Sequence, residues 1–357
     1  MGIDAHESPK HLRLSLAAAM SLGFRPGQFY RGARLHCLNL LLTYEDGCHA
    51  NCTYCGLARG GGAYAERSFI RVEWPTYATG EILARARERK SNFERVCLSM
   101  IMHPAALDDT LELTGRLSRE CDQPLSVLVN PSAMRDGDIE ELRSAGADMA
   151  TVAVDAATPA LFDANRGKAV SGPHRWERYW ATLEEAAVAF GRNRFGCHLI
   201  AGLGETEREM LATVQRLRSM GGRSHLFSFN PERGSALEGN DPCRPDHFRR
   251  VQLGRFLIDY DIVDFNSMEF DEHERVVGFG LKGAELDRLV DSGVPFMTSG
   301  CPGKTRLCAC NRPFGDGPPS DIRSFPFNLD DQDVLQVRKQ LATYPEVPAA
   351  SVLDVEA

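Results

Sequence analysis

Between His36 and Tyr260 the chain passes six times from a short apolar run into a longer stretch with helical spacing. The runs are His36–Thr43, Val96–Met102, Leu125–Asn130, Met149–Asp155, Phe195–Ala201 and His225–Asn230. The helical stretches are Thr76–Lys90, Asp108–Arg119, Asp136–Ala145, His174–Phe190, Thr206–Met220 and Pro245–Tyr260. Strand followed by helix, repeated, demands crossover connections and therefore a parallel sheet. Several runs are apolar almost throughout, as strands covered on both faces must be. The expected fold is α/β, a parallel (βα) TIM-type barrel, full or partial, with a Cys-rich C-terminal extension. The repetition is architectural, since no self-similarity of sequence accompanies it.

Three regions are expected. Residues 1–30 form a helical lead with an amphipathic helix at Leu12–Leu22, residues 31–260 the barrel core, and residues 261–357 the extension. Within the extension Asp264–Phe279 mixes acidic and apolar residues, and Lys282–Ser292 reads as one helix. Thr298–Ser320 is dense in Gly, Pro and Cys. Such a loop has no periodic packing of its own and needs an organiser, for which a bound metal would serve. Pro348–Ala357 reads as a frayed tail.

Composition removes several classes of function. No apolar run approaches the roughly 18–20 residues of a membrane span. Met1–Lys10 lacks the apolar segment of a secretion signal, so a cytoplasmic protein is expected. With 41 basic against 49 acidic residues the formal charge is −8, which argues against binding nucleic acid through phosphates. The 11 cysteines are an odd number in a chain with no secretion signal, so metal or redox chemistry explains them better than disulfides.

Cys48, Cys52 and Cys55 lie within eight residues, as C-x3-C-x2-C, directly after the first apolar run. That is the C-terminal end of a strand, the face on which barrel enzymes carry their active sites. Three thiolates on one loop can hold three irons of a [4Fe–4S] cube and leave the fourth iron open to an outside ligand. A zinc knuckle or chance clustering is the other reading; zinc usually takes four ligands in paired spacing, and only His49 offers itself nearby. Cys301, Cys308 and Cys310 form a second cluster, C-x6-C-x-C, compatible with an auxiliary [4Fe–4S] cluster, a structural zinc site or a redox thiol pair. Its fourth ligand is open: Cys37, a serine, an arginine or a substrate. Cys37 reads more simply as a buried strand residue, and Cys97, Cys121, Cys197 and Cys243 as buried or loop thiols.

The first cluster, with Tyr54 just before its last cysteine, resembles the radical S-adenosylmethionine superfamily. The resemblance implies that Cys48, Cys52 and Cys55 bind a cluster whose open iron chelates S-adenosylmethionine. One electron then releases methionine and a 5′-deoxyadenosyl radical, which takes hydrogen from a substrate. His198-Leu199-Ile200-Ala201-Gly202-Leu203-Gly204-Glu205 is similar to the family's adenine-side G-x-I-x-G-x-x-E stretch, with His198 in place of the first glycine. The same resemblance implies cofactor contacts for Tyr54, Asp155 (ribose), Ile200, Gly202, Glu205 and Asn230 (adenine edge). It spans about residues 30–260.

The chain also resembles biotin synthase. Of the in-barrel cluster cysteines of that family, Cys97 matches the second strand, Val127–Leu128 has no cysteine, and Cys197 is one residue out of register. A biotin-synthase-like barrel with auxiliary cysteines moved to the C-terminus resembles the two-protein lipoyl synthases. The Leu12–Leu22 lead, Leu40–Cys48, Ser68–Pro75 and Cys308–Phe314 carry that likeness. It implies a sulfurtransferase that inserts sulfur into an octanoyl chain on a lipoyl carrier protein, the auxiliary cluster being the sulfur donor. The partners implied are the octanoylated carrier protein or peptide, a second lipoyl-synthase protein and a reductant such as ferredoxin or flavodoxin, with no nucleic acid and no membrane. The alternative is another radical enzyme acting on a small molecule, its auxiliary cluster relaying electrons or anchoring substrate. A non-catalytic iron–sulfur or zinc protein is the reading from outside enzymology.

Overall fold

The computed structural model describes residues 6–59, 68–314 and 317–344. The elements in chain order begin with β1 (His11–Leu14), α1 (Leu16–Ser21), β2 (Cys37–Leu41), β3 (Thr76–Ala78), α2 (Thr79–Glu88), β4 (Arg95–Ser99) and α3 (Ala106–Glu120). They continue with β5 (Leu125–Val129), α4 (Asp138–Ser144), β6 (Met149–Asp155), α5 (Pro159–Arg166), α6 (Trp176–Phe190), β7 (Phe195–Ala201), α7 (Glu207–Ser219), β8 (Arg223–Ser228) and α8 (Pro245–Asp259). A short hairpin, β9 (Glu269–Phe270) and β10 (Val276–Gly278), then α9 (Ala284–Asp291) and α10 (Asp331–Leu341) follow among the described residues.

Eight strands share one sheet in the order β3-β1-β2-β4-β5-β6-β7-β8. From β2 through β8 every neighbouring pair is parallel. This is the expected βα architecture as a partial barrel of six parallel strands, with β1 and β3 added antiparallel at one edge. No pairing between β3 and β8 closes the sheet among the described residues. All five residues of β4 are buried, as are six of the seven in β6, because helices cover the outer face and side chains fill the inner one.

Two expected helices differ. Leu12–Leu22 begins as a strand: Leu12 and Leu14 point into the core from β1, and α1 starts only after Ser15 caps it. Pairing with β2 and β3 on both sides outweighs helical spacing there. Thr76–Lys90 likewise opens with the three residues of β3, paired to β1, before α2 begins. Of the other stretches, α5 and α10 were not anticipated, Lys282–Ser292 contains α9, and 298–314 forms no helix or strand. Pro348–Ala357 lies outside the described residues. No helix among the described residues is long and apolar enough to cross a membrane.

Register fixes which side chains enter the barrel. Asn39 pairs with Cys97, Cys97 with Ser126, Leu128 with Thr151, Ala153 with His198 and His198 with His225. Side chains alternate along a strand, so these residues share the inner face. Cys197, one position from His198, therefore points outward, where the field of Asp259 on α8 acts on it.

The C-terminal loop covers the open side. Leu226 of β8 donates its N–H to Ser299 Oγ at 2.8 Å, and its carbonyl accepts from Arg312 at 3.4 Å. An edge strand that a barrel would pair with another strand is thus satisfied by side chains. At the other side Asn311 accepts from the His36 N–H at 3.1 Å and donates to the Arg34 carbonyl at 2.6 Å, just before β2. The Glu94 carboxylate takes hydrogen bonds from Thr305 and from the Arg306 N–H, and Arg95 reaches the Pro302 carbonyl. The loop therefore seats against the N-terminal end of β4, opposite the Cys48–Cys55 loop.

Candidate active site

Gly47, at φ +76, turns the chain out of β2 into the first cysteine loop. The loop is held by Thr53, whose N–H and hydroxyl reach Asn165 at 2.9 and 2.6 Å, by Asn51 on the Val170 carbonyl at 2.7 Å, and by Leu237 on the Thr53 carbonyl at 3.0 Å. Cys52 is buried, Cys48 and Cys55 half-buried. Burial pushes the Cys52 thiol up to about 11, the neighbouring Arg166 only partly opposing it, and pushes Cys55 up as well. These thiols are protonated at neutral pH, so loading metal on them releases protons. Three thiol donors on one braced loop beside a cavity fit a cluster site, and Cys48, Cys52 and Cys55 would hold it.

That cavity is lined by Tyr54, Cys55, Asp155, Ile200 and Asn230, among residues of the β-strand ends. Four of the six expected cofactor contacts (Tyr54, Asp155, Ile200 and Asn230) therefore meet at one place. Tyr54 donates its hydroxyl to Asp155 at 2.6 Å, and Arg166 donates to the same carboxylate oxygen at 2.6 Å. Asp155 holds a left-handed backbone, φ +66, at the end of β6. Burial lifts its carboxyl above the usual range, against the pull of Arg166 and the Tyr54 hydroxyl.

Gly202 and Glu205 act one layer back. Glu205 accepts the N–H groups of Gly202 at 2.6 Å and Leu203 at 2.9 Å, with its side chain fully enclosed. Gly202, at φ +99, has no room for a Cβ, which would lie 2.5 Å from that of Cys243. Both shape the turn that presents Ile200 to the cavity. Sequence reasoning missed five residues of the site. Arg166 anchors Asp155; Glu232 accepts from Ser68 and from the Arg71 N–H at 2.6 Å; and Phe69, Ile70 and Arg71 roof the cavity. Ile70 and Arg71 both have positive φ, +54 and +59, a backbone that β-branched residues rarely adopt and that the Glu232 bonds hold in place.

The turn carries a pH dependence. His247 lies between Glu205 and Glu207, at 3.1 and 3.5 Å. Burial opposes its charge, but hydrogen bonds to the two carboxylates outweigh that and carry it up to about 9. A folded pKa above the unfolded value near 6.5 gives stability that is complete below about pH 6.5 and lost as pH rises through 9, of the order of 3 kcal/mol. Urea unfolding at pH 6 and pH 10 should show a larger loss for the wild type than for His247→Gln. Equal losses would show that the charged imidazole contributes nothing.

The second cysteine cluster divides. Cys301 and Cys310 line an interior cavity together with Cys97, Asn39, Ser99, Thr151, His198, His225 and Arg312. His198, Ile70 and Phe227 also line the first cavity, so the two adjoin. Cys308 lines a different cavity, beside Arg34, His36 and Arg306. Cys310 is pulled below the usual thiol range by the Cys37 thiol and, against burial, by Arg312 and Asn39. The buried imidazoles of His198, lowered to about 3, and His225 are neutral.

Asp46, His49 and His103 also bring their ligand atoms within 4.8 Å of one another. His103 Nδ1 accepts the Ala105 N–H at 3.1 Å, so the ring proton sits on Nε2, which faces Asp46 at 3.1 Å. A metal-ligating imidazole keeps its proton on the other nitrogen. The trio is therefore a hydrogen-bonded clamp on the loop before Cys48.

The sequence model of the Radical SAM superfamily matches residues 43–217. Biotin synthase of a Nocardioides species is 28% identical over 198 residues, 54% of this chain and 49% of that protein, so the chain spans about half the length of this curated relative. Among solved structures, HydG, a maturase of the [FeFe]-hydrogenase, aligns with a TM-score of 0.48 at 12% identity, over 69% of this chain and 54% of its own. The radical S-adenosylmethionine methyltransferase TsrM from Kitasatospora setae, with cobalamin and a [4Fe-4S] cluster bound, aligns with a TM-score of 0.38 at 14% identity, over 58% of this chain and 39% of its own.

Proposed function

The chain belongs to the radical S-adenosylmethionine superfamily and is biotin-synthase-like, and from that premise we propose that it inserts sulfur into the octanoyl chain of a lipoyl carrier protein. A [4Fe–4S] cluster on Cys48, Cys52 and Cys55 would supply one-electron cleavage of S-adenosylmethionine to methionine and a radical that takes hydrogen from an unactivated carbon. Tyr54, Asp155, Ile200 and Asn230 would orient the cofactor, and the Phe69–Arg71 roof would keep water from the radical.

The observation that carries the sulfur-inserting reading is the thiol-lined cavity of Cys97, Cys301 and Cys310, which adjoins the cofactor-side cavity through His198 and Phe227. A second iron–sulfur centre there would place a sulfide source next to the carbon that loses hydrogen. An apolar chain has a route inward: a third cavity, lined by Leu16, Tyr30, Pro313, Phe314 and Phe327, shares Val72, Phe314 and Arg312 with the thiol cavity. Such a lining suits a chain whose tether stays outside. The carrier protein, a second lipoyl-synthase partner and a ferredoxin or flavodoxin reductant belong to the same proposal.

The test is anaerobic reconstitution, then incubation with S-adenosylmethionine, a low-potential reductant and an octanoyl-lysyl peptide. Sulfur in the peptide, matched by sulfide lost from the second centre, is the expected result. 5′-Deoxyadenosine with no thiolated peptide and undiminished sulfide would replace the proposal with an electron-relay or substrate-anchoring role. Cys301→Ser/Cys310→Ser should keep 5′-deoxyadenosine formation while peptide thiolation falls to background, provided its melting profile is native. Thiolation by that variant would exclude the sulfur-donor role.

A further inference from the structure

We infer that the second iron–sulfur centre is held by Cys37 and Cys97 of the barrel wall together with Cys301 and Cys310 of the C-terminal loop, and that Cys308 lies outside it. The inference rests on the second-centre reading above and gives it a ligand set.

Register brings the wall cysteines together. Cys37 and Asn39 are two residues apart on β2 and share its inner face, and Asn39 pairs directly with Cys97 on β4. The Asn39 amide nitrogen lies 3.6 Å from the sulfurs of both Cys37 and Cys310, so one side chain marks where wall and loop thiols meet. Within the loop, the N–H groups of Ala309 and Cys310 bond the Cys301 carbonyl at 2.8 and 3.4 Å. Those bonds fold the segment so that Cys301 and Cys310 face the barrel together. Cys308, between them, faces its own cavity near the protein surface.

Buried cysteines are often small hydrophobes, and Cys197 and Cys243 fit that description: one sits on the outer face of β7 and the other against Gly202. The four inner thiols do not. Asn39, Ser99, Thr151 and Arg312 border the cavity that three of them line. Polar groups are costly in a purely apolar core but suit a polar guest. The Arg312 guanidinium, 4.1 Å from the Phe227 ring and bonded to the Ser299 carbonyl at 2.9 Å, adds positive charge where thiolates would gather. Soft thiolate donors in that number select an iron–sulfur cluster or zinc over hard cations. Cys48, Cys52 and Cys55 stand on the first loop and Cys121 at the C-terminal end of α3, so the two centres would draw on separate sulfurs.

The experiment uses the full chain carrying Cys48→Ala/Cys52→Ala/Cys55→Ala, so that iron bound after anaerobic reconstitution with iron and sulfide reports the second centre alone. About four irons per chain are expected. Cys308→Ser in this background should leave that content unchanged. Cys37→Ser/Cys97→Ser should lower it at least threefold, as should Cys301→Ser/Cys310→Ser. If Cys301→Ser/Cys310→Ser keeps its iron, there is no centre at these loop cysteines, and the second-centre reading falls with the inference. If that variant loses iron and Cys308→Ser loses it too, the centre stands but the ligand set is overturned. Iron retained by Cys37→Ser/Cys97→Ser overturns the set in the same way. Cys308 lies near the surface, so its variant decides the matter even where the wall variant does not fold.

Discussion

Cys52→Ala should eliminate reductive cleavage of S-adenosylmethionine, with 5′-deoxyadenosine falling at least a thousandfold to background. Cys52 is the most enclosed of the three thiols on the loop and sits at its middle. A [4Fe–4S] cube with one iron reserved for a cofactor has only three protein ligands, so losing one leaves two. Serine at the same position keeps the volume and should rescue little, because an alcohol does not ionise as a thiol does. The loop is tied down by Asn51, Thr53 and Leu237 rather than by the sulfur, so the metal-free variant should melt like the metal-free wild type. 5′-Deoxyadenosine is quantified after single-turnover reduction, and iron content is measured in parallel. Normal cleavage with normal iron would remove Cys52 from the site. Normal iron without cleavage would keep the cluster and move the defect to cofactor binding.

The parts of this site that could be read from the chain are those whose residues are neighbours in sequence. Cys48, Cys52, Tyr54 and Cys55 announce themselves because one loop carries three thiol donors at C-x3-C-x2-C spacing with an aromatic before the last. β6 and β7 coincide with their apolar runs, since strands buried on both faces have no alternation to blur their ends. Leu12–Leu22 misled because Leu12, Leu14, Ala17, Ala18 and Leu22 satisfy a two-residue period first and a helical one afterwards; partners from β2 and β3 decide between them. The Thr158-Pro159 start of α5 was a usable signal, an N-cap followed by proline in the first turn. Arg166, Glu232 and the convergence of Cys37 with Cys310 had no local signal. Arg166 stands at the end of α5 and Glu232 and Cys310 in loops, and each acts through a tertiary contact that no local pattern announces. In C-x6-C-x-C the middle cysteine, Cys308, lines a different cavity from Cys301 and Cys310, a division that spacing along the chain does not announce.

Arg166→Leu should destabilise the fold by about 3–5 kcal/mol, the cost of leaving one member of a buried ion pair without its partner. Arg166 is almost completely enclosed; its guanidinium bonds Asp155 at 2.6 Å, the Val154 carbonyl at 3.2 Å, the Tyr179 hydroxyl at 3.1 Å and the Ala153 carbonyl. Leucine fills part of the volume and satisfies none of these groups. Burial alone would drive Asp155 toward its neutral form, and the Tyr54 hydroxyl, which ties the cluster loop to the end of β6, would lose its ionised acceptor. Urea unfolding of the metal-free protein at pH 7 gives the loss directly, and the double variant Arg166→Leu/Asp155→Asn supplies the control. With the carboxylate removed, the stranded charge disappears, so the double variant should be less destabilised than the sum of the two single variants by at least about 1 kcal/mol. Strict additivity would mean that Arg166 stabilises through packing on Phe162 and Tyr179, whose rings lie 5.2 and 4.8 Å from its guanidinium carbon, and not through Asp155. The cofactor readout then separates the two roles of the pair. If Arg166 holds Asp155 in place for a ribose, the folded single variant should require a higher concentration of S-adenosylmethionine for half-maximal cleavage, while its iron content stays at the wild-type level.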